Sequence, residues 1–256
     1  MTRFSAPLII FLVMILFTGC TGKGSVKKDS SSEIDTVSVP DTGYTGIKQY
    51  FSNDLLLKEV TFRNGVRDGL MKTFYPGGQL YQTFWYENGM REDSSVWYYL
   101  EGQVFRTTPY KRDTVDGIQK QFYRTGKLRA KIGFSKGLRT PLLEEYDLNS
   151  RVIKDYPEIV TQMNDEYNVK GMVRIGLSMS DNTTKVKFYR GDFTDGRFDT
   201  AAVKMLNAVN GRATLILTKA GTSGPGYVGV MAEIVTKFGN RHFIYRKIEL
   251  PYSDLN

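Results

Sequence analysis

A mainly β protein, an antiparallel hairpin meander followed by a small β-sandwich with one short helix, is what three observations of the sequence predict. Sliding the chain against itself by 24 residues gives an ungapped register over 45–156. Within each period strong β-formers dominate, and Gly, Asn and Pro stand at the ends, so each unit reads as two short strands. Beyond 156 the period stops, yet further β-like segments continue between turn signals.

Taken in order, the first element is an address. Arg3 precedes an apolar run from Pro7 to Phe17, too short to span a bilayer comfortably but the right length for the core of a secretory signal. Thr18, Gly19 and Cys20 end it, and Cys20 is the only cysteine in 256 residues, which leaves no intramolecular disulfide and no Cys-based metal site. "LFTGC" resembles the lipobox of bacterial lipoproteins, with Phe17 where Leu is commoner. The resemblance implies cleavage of a signal peptide, 1–19, and a diacylglyceryl group on the Cys20 thiol. An ordinary signal peptide with an incidental cysteine, or an uncleaved anchor, is the competing reading. Several acyl chains, at about 0.8 kcal/mol per buried CH₂, would tether a folded domain without spanning the membrane.

Residues 20–44 are rich in Ser, Asp, Thr and Gly with few large apolar groups, the composition of a flexible tether. Some surface-exported lipoproteins carry an acidic cluster just after the lipidated cysteine. Thr21, Gly22, Lys23 and Gly24 contain no acid, so the expected location is the bacterial cell envelope, lipid-anchored on the periplasmic side of the outer membrane.

The repeat itself occupies 45–156. Tyr50, Phe74, Tyr98, Phe122 and Tyr146 fall in one column; Asp54, Gly78, Gly102, Gly126 and Ser150 in a second. Leu56, Leu80, Val104, Leu128 and Val152 form a third, and Phe62, Tyr86, Tyr110 and Phe134 a fourth. Asn64-Gly65 and Asn88-Gly89 match Lys136-Gly137, with Arg112-Asp113 as the degenerate member. Asn-Gly suits a type I′ hairpin turn because both central residues need positive φ. Strands about 4.8 Å apart would turn the aromatic columns into a ladder across the sheet. In the third unit Pro109 cannot donate a ladder hydrogen bond, which predicts a bulged or irregular edge there.

This phrasing, an aromatic pair, a Gly turn, Leu, an alternating strand, an aromatic, Asn-Gly, then Gly or an acid, resembles the MORN-variant repeat typical of the YwqK family of toxin–antitoxin system antitoxins. The resemblance covers less than half of the chain. It implies an elongated meander of hairpins that presents a surface to a protein or envelope partner. A literal antitoxin for a cytosolic toxin would be misplaced behind a signal peptide.

Residues 157–256 form the last expected domain. Ile159, Val160, Met163 and Tyr167 have helix-like spacing, with strand or loop as equal alternatives. Then "GMVRIGLSMS", "KVKFYRGDF", "GRATLILTK", "YVGVMAEIVTK" and "HFIYRKIEL" read as strands. The short helix is expected between them: Asp199 or Thr200 caps it, Ala202, Met205, Leu206 and Val209 make its stripe, and Asn210-Gly211 ends it. The pattern suggests a sandwich of immunoglobulin-like type, without the Cys and Trp hallmarks of true immunoglobulin domains. A sandwich at this place would also cap the open end of the repeat array.

Catalytic chemistry is sparse. His242 is the only histidine and sits in a strand-like run, so a Ser/His/Asp triad or a His-rich metal centre would have to be built on that one ring; a satisfied strand residue is the simpler reading. Asp192, Asp195 and Asp199 are the weak metal candidates, but they lack calcium-loop phrasing, and Asp195-Gly196 suits a hairpin turn. The glycine-rich 221–226 segment lacks the lysine and helix of a phosphate-binding loop. The net charge of +8 is scattered among acids, which favours a solvated surface over nucleic acid. Tyr123 and Arg124 could stack on a planar ligand. Trp85 stands out because its column otherwise holds Thr61, Pro109 and Gly133. The expectation is a non-enzymatic, cofactor-free scaffold whose partner is an envelope protein or glycan and not nucleic acid. The alternative is a carbohydrate-binding module or hydrolytic site in the C-terminal sandwich.

Overall fold

The computed structural model describes residues 43–256; Cys20, the signal and most of the tether lie outside the described residues. Strands β1 (Gly46–Ser52), β2 (Leu55–Arg63), β3 (Val66–Phe74), β4 (Leu80–Glu87), β5 (Met90–Tyr98) and β6 (Val104–Lys111) open an 11-stranded sheet. It continues through β7 (Thr114–Val115), β8 (Gly117–Phe122), β9 (Leu128–Ser135), β10 (Leu138–Tyr146) and β11 (Val152–Ile153). Strand order follows chain order, with β7 as a short side pairing on β6, and every pair is antiparallel.

The turn columns explain the period. At the Asn-Gly position both residues have positive φ in every unit: 50° and 78° at Asn64-Gly65, 49° and 84° at Asn88-Gly89, 48° and 63° at Arg112-Asp113. That is the requirement of a type I′ turn. Each of these turns is also tied to the unit before it, since Gly89 N–H donates to Arg67 O and Asp113 N–H to Arg91 O, 2.8 and 2.9 Å. The other turn places its column residue in the same left-handed region and closes with a bond from Gly78, Gly102 or Gly126 to the carbonyl of Tyr75, Tyr99 or Tyr123. Those three tyrosines repeat a further contact. Tyr75, Tyr99 and Tyr123 donate their hydroxyls to the carbonyls of Tyr98, Phe122 and Tyr146, at 2.9, 2.8 and 2.6 Å, stitching each unit to the next.

The "Gly or an acid" that follows the Asn-Gly turn is a bulge. Gly69, Asp93 and Gly117 have φ of 108°, 56° and 116°, and the pairing between β2 and β3 shifts register between Val60 and Phe62, beside Gly69. In the third unit the break is larger: Pro109 lies within β6, and the facing chain splits into β7 and β8. The irregularity expected at Pro109 is therefore present, but β6 is interior, between β5 and β8, and not an edge.

The remaining chain forms β12 (Ile159–Glu166), α1 (Tyr167–Lys170), β13 (Met172–Met179), β14 (Val186–Arg190), β15 (Lys204–Met205), β16 (Ala208–Val209), β17 (Arg212–Thr218), β18 (Tyr227–Val235) and β19 (Arg241–Glu249). Two four-stranded sheets, β12-β13-β17-β16 and β15-β14-β18-β19, enclose one core. Val173, Ile175 and Leu177 of β13 and Leu215 and Leu217 of β17 meet Phe188, Val230 and Ile248 from the second sheet. In β17 burial alternates strictly, as one buried face requires. Strand β18 is buried from Val228 to Ile234, because its outer side, at Met231, packs in a second cluster with Tyr189, Phe198 and Phe243.

One open reading is decided and one helix expectation changes. The segment at Ile159 is a strand, with Ile159 buried and Val160 and Met163 exposed. No helix follows Asp199: its carboxylate does accept the Ala201 N–H at 2.9 Å, but the chain then runs as β15 against β14. Met205 and Val209 are both 64% exposed, so the supposed stripe has no common core to enter. Asn210-Gly211 is a hairpin turn joining β16 to β17, with φ of 51° and 73°, and does not end a helix. The short helix is α1, closed by Gly171 at φ 64°.

Candidate functional site

Residues paired across neighbouring strands lie on the same face of a sheet, which lets the two faces be separated. One face carries an alternation of aromatic and cationic side chains. Phe62 pairs with Arg67, Tyr86 with Arg91, and Phe134 with Arg139. The guanidinium carbons lie over rings at cation–π range: Arg67 5.6 Å from Tyr86, Arg91 4.4 Å from Tyr110, Arg139 5.3 Å from Phe134. The fourth aromatic column is thus a ladder interleaved with arginine, not a continuous stack of rings.

Around Phe84 the row widens into a patch. Its ring lies 5.6 Å from Trp97, 6.0 Å from Tyr110 and 6.3 Å from Tyr86, all near edge-on. Arg106 stacks on Trp97 at 3.9 Å; burial lowers its pKa, and its Nε is buried with no hydrogen-bond partner among the described residues. Arg91 is held in place by Asp113, Nε to Oδ1 at 2.8 Å and Nη2 to the main-chain oxygen at 3.1 Å. Burial pushes the Asp113 carboxyl up, but the bonds and charge of Arg91 outweigh it and leave the pKa below the ordinary value. Phe84, Trp97, Tyr110, Arg67, Arg91 and Arg106 are all half-buried.

The opposite face is chemically different. Lys72 pairs with Glu59 at 3.3 Å and Lys131 with Glu144 at 2.8 Å, so ion pairs cross neighbouring strands there. The aromatic–arginine row is thus confined to one face, and the Lys–Glu pairs lie on the other.

In the fourth unit the aromatic–arginine row is already occupied by residues from 157–256. Arg139 lies between Phe134 and Phe243, 5.3 and 5.9 Å from the two rings, and donates from Nη2 to Arg241 O at 2.9 Å. Phe198 N–H donates to Arg139 O at 2.8 Å. Burial, with the like charge of Arg241 and against the opposing Glu233, pushes the Arg139 pKa down to about 10. Beside it Glu145, fully buried, accepts from the Tyr156 hydroxyl, the Thr236 hydroxyl and the Asn240 amide at 2.9, 2.7 and 2.6 Å. Gln121 of β8 donates to Asn240 Oδ1 at 3.0 Å. A buried carboxylate with three neutral donors is a costly group made tolerable by complete hydrogen bonding.

The residues singled out from sequence lie apart from one another. Trp85, 42% exposed, pairs with Leu70 and Glu92 and so sits on the opposite face from Phe84 and Tyr86. Tyr123 belongs to the stitching column described above, its ring 6.5 Å from Phe238. Arg124, in the turn before β9, forms an ion pair with Glu101 and stacks over Tyr99 at 4.7 Å. Asp192 takes the Tyr245 hydroxyl at 2.6 Å, Asp195 pairs with Arg197 at 2.9 Å, and Asp199 caps its turn, so the three carboxylates are turned to different partners. Among the described residues no group of three or more His, Cys, Asp or Glu is placed to hold a metal ion. His242 stacks obliquely on Tyr156 at 4.5 Å, and its Nδ1 is buried without a partner among the described residues, so the ring is not fully satisfied.

What sequence reading missed is the arginine column. Arg67, Arg91 and Arg139 stand at the same phase of the 24-residue period, with Val115 at the vacant step. The same slide that aligned the aromatics carries that signal.

Two segments, 67–88 and 115–136, match the family model described as MORN repeat variant. They begin two 24-residue periods apart and fall within the 11-stranded sheet. No curated protein and no solved structure matches the chain.

Proposed function

We propose that this chain is a lipid-anchored cell-envelope protein whose hairpin repeats form a non-enzymatic interaction scaffold, taking a protein partner on the aromatic–arginine face of its first three units. One observation carries the reading. The fourth unit uses its Phe134–Arg139 step to dock the C-terminal domain, through an aromatic ring and a main-chain carbonyl. The same step recurs at Phe62–Arg67 and Tyr86–Arg91, where the rings are buried and the arginines half-buried, with half-buried Trp97 and Arg106 alongside. Arginine and aromatic residues are the groups that dominate binding energy at protein interfaces, because a planar cation and a rigid ring lose little entropy on being covered. A partner with exposed carbonyls, aromatic rings or carboxylates fits this surface.

The anchor is read from Cys20, the lone cysteine at the end of the N-terminal apolar run, with the Ser- and Thr-rich stretch to residue 44 as spacer. No helix among the described residues is long and apolar enough to cross a membrane. In this reading the protein faces the periplasm from the outer membrane.

Crosslinking capture from membranes tests both halves. The native chain should retrieve a reproducible protein partner, and an Arg67→Glu, Trp97→Ala double variant should reduce its recovery about tenfold or more, as loss of a central anchor does. Trp85→Ala should change recovery little, because it alters the other face. Capture that ignores the double variant overturns the assigned face, and capture of a glycan alone overturns the protein partner. Cys20→Ser should release the chain from the membrane; retention with unchanged lipid labelling overturns the anchor.

A further inference from the structure

We infer that β1 is a self-complementary edge through which two copies of this chain join their sheets, antiparallel about a two-fold axis at Gln49. The large sheet has two ends of unequal character. At one end β11 is only two residues long, too short to template another strand. At the other β1 runs for seven residues, has no proline, and among the described residues has β2 on one side and nothing on the other. Natural edges of this length are usually blunted by charge, bulge or proline. Here the one lysine, Lys48, is laid over the Tyr44 ring at 4.6 Å. The one register shift, between Tyr50 and Phe51, is taken up by the extra residue Leu57 on β2, so β1 keeps its own alternation. Between these, the strand displays Ile47 and Phe51, 59% and 58% exposed.

The direction of its free backbone groups follows from two hydrogen bonds. Tyr44 O accepts the Gly65 N–H at 2.7 Å, so Tyr44 and, by alternation, Gly46, Lys48 and Tyr50 turn their polar groups toward β2. Ile47 O is free to take the Tyr44 hydroxyl at 3.0 Å, which places it on the outer side. Ile47, Gln49 and Phe51 therefore present N–H and C=O outward, in the spacing an incoming antiparallel strand requires, with the second lone pair of the Ile47 carbonyl left for the incoming N–H beside the Tyr44 hydroxyl.

The side chains are arranged to match their own reversed copy. The run Ile47-Lys48-Gln49-Tyr50-Phe51 is symmetric in character about its centre. A two-fold axis there sets Ile47 against the partner's Phe51 on one face and Lys48 against the partner's Tyr50 on the other. The second pairing repeats what the sheet already does within one chain. Lys58 pairs with Tyr50 across β1 and β2, its Nζ 4.7 Å from the ring centre. The joined sheets would so continue the cation–aromatic alternation through the axis. Isologous contacts of this kind close as dimers and do not propagate. The inference stands apart from whatever the aromatic–arginine face binds.

Sedimentation velocity of the full chain in detergent, at tens of micromolar, tests it. The native chain should sediment as a dimer. Ile47→Lys and Phe51→Glu should each lose the dimer while keeping the native far-ultraviolet spectrum, because both side chains are exposed. An equimolar mixture of the two variants should regain it, since only the heterodimer sets the introduced lysine of one chain against the introduced glutamate of the other while keeping one Ile–Phe pair. A native chain that stays monomeric overturns the inference, as does a dimer unaffected by either variant. Loss in both variants without recovery in the mixture overturns the two-fold register at Gln49. Should Phe51→Glu fail to fold, Phe51→Lys mixed with Ile47→Glu makes the same test with the charges exchanged.

Discussion

His242 shows how one residue can be burdened by its place without becoming a site. Burial lowers its pKa; Glu145 opposes the shift and Arg139 adds to it. A histidine whose folded pKa is depressed is neutral in the fold, so its contribution to stability is complete above the unfolded value of about 6.5 and is lost as pH falls through the lowered folded value. Stability should therefore decline below about pH 6.5, and His242→Phe should flatten that slope, measured by urea denaturation at a series of pH values. An unchanged slope would mean that other groups carry the acid sensitivity. The solitary histidine and its strand are legible in sequence, but its orphaned Nδ1, the Tyr156 ring against it and the charge of Glu145 are decided by packing between distant segments. At the same scale, Arg67 and Arg91 gain meaning only from the rings that pairing sets beside them. Trp85, conspicuous in its column, lies on the opposite face, with the Lys72–Glu59 ion pair.

At the scale of elements the turns are the most legible part. Positive φ is a local demand that Asn and Gly meet at little cost, so a period of Asn-Gly and Gly announces its hairpins directly. The unit that departs is informative. Arg112 holds φ 48° with a side chain poorly suited to it, while Asp113 is needed to fix Arg91. Arg112→Asn, leaving Asp113 in place, should stabilise the protein by about 0.5–1 kcal/mol, read as a rise in the denaturation midpoint. Destabilisation would show that Arg112 makes a contact outweighing its strain. The helix expected after Asp199 fails for the opposite reason. A cap and a spaced apolar set are necessary for an amphipathic helix but not sufficient, because the stripe needs a surface to cover. Here Leu206 N–H is taken by Phe188 O at 2.8 Å, and the segment is spent on extending the β14 sheet.

For the whole molecule, the junction matters most. The last units pack Glu145, Gln121 and Arg139 against 157–256, so removing those residues would take away the Thr236 and Asn240 donors of Glu145 and leave apolar surface bare. A fragment of 45–156 should aggregate, seen as loss of monomer in gel filtration; a soluble monomer would show that the repeats cap themselves. By itself the sequence determined the strand count per unit, the position of both turns, the period and the β-rich character of 157–256, because each depends on φ preference and alternation within a few residues. Only the tertiary structure decided which face carries the aromatic–arginine row, that the row is a docking surface in its fourth unit, and which buried polar groups join the two halves. Those depend on pairing register and on contacts about a hundred residues apart, such as Glu145 with Asn240, and the local pattern carries no record of them.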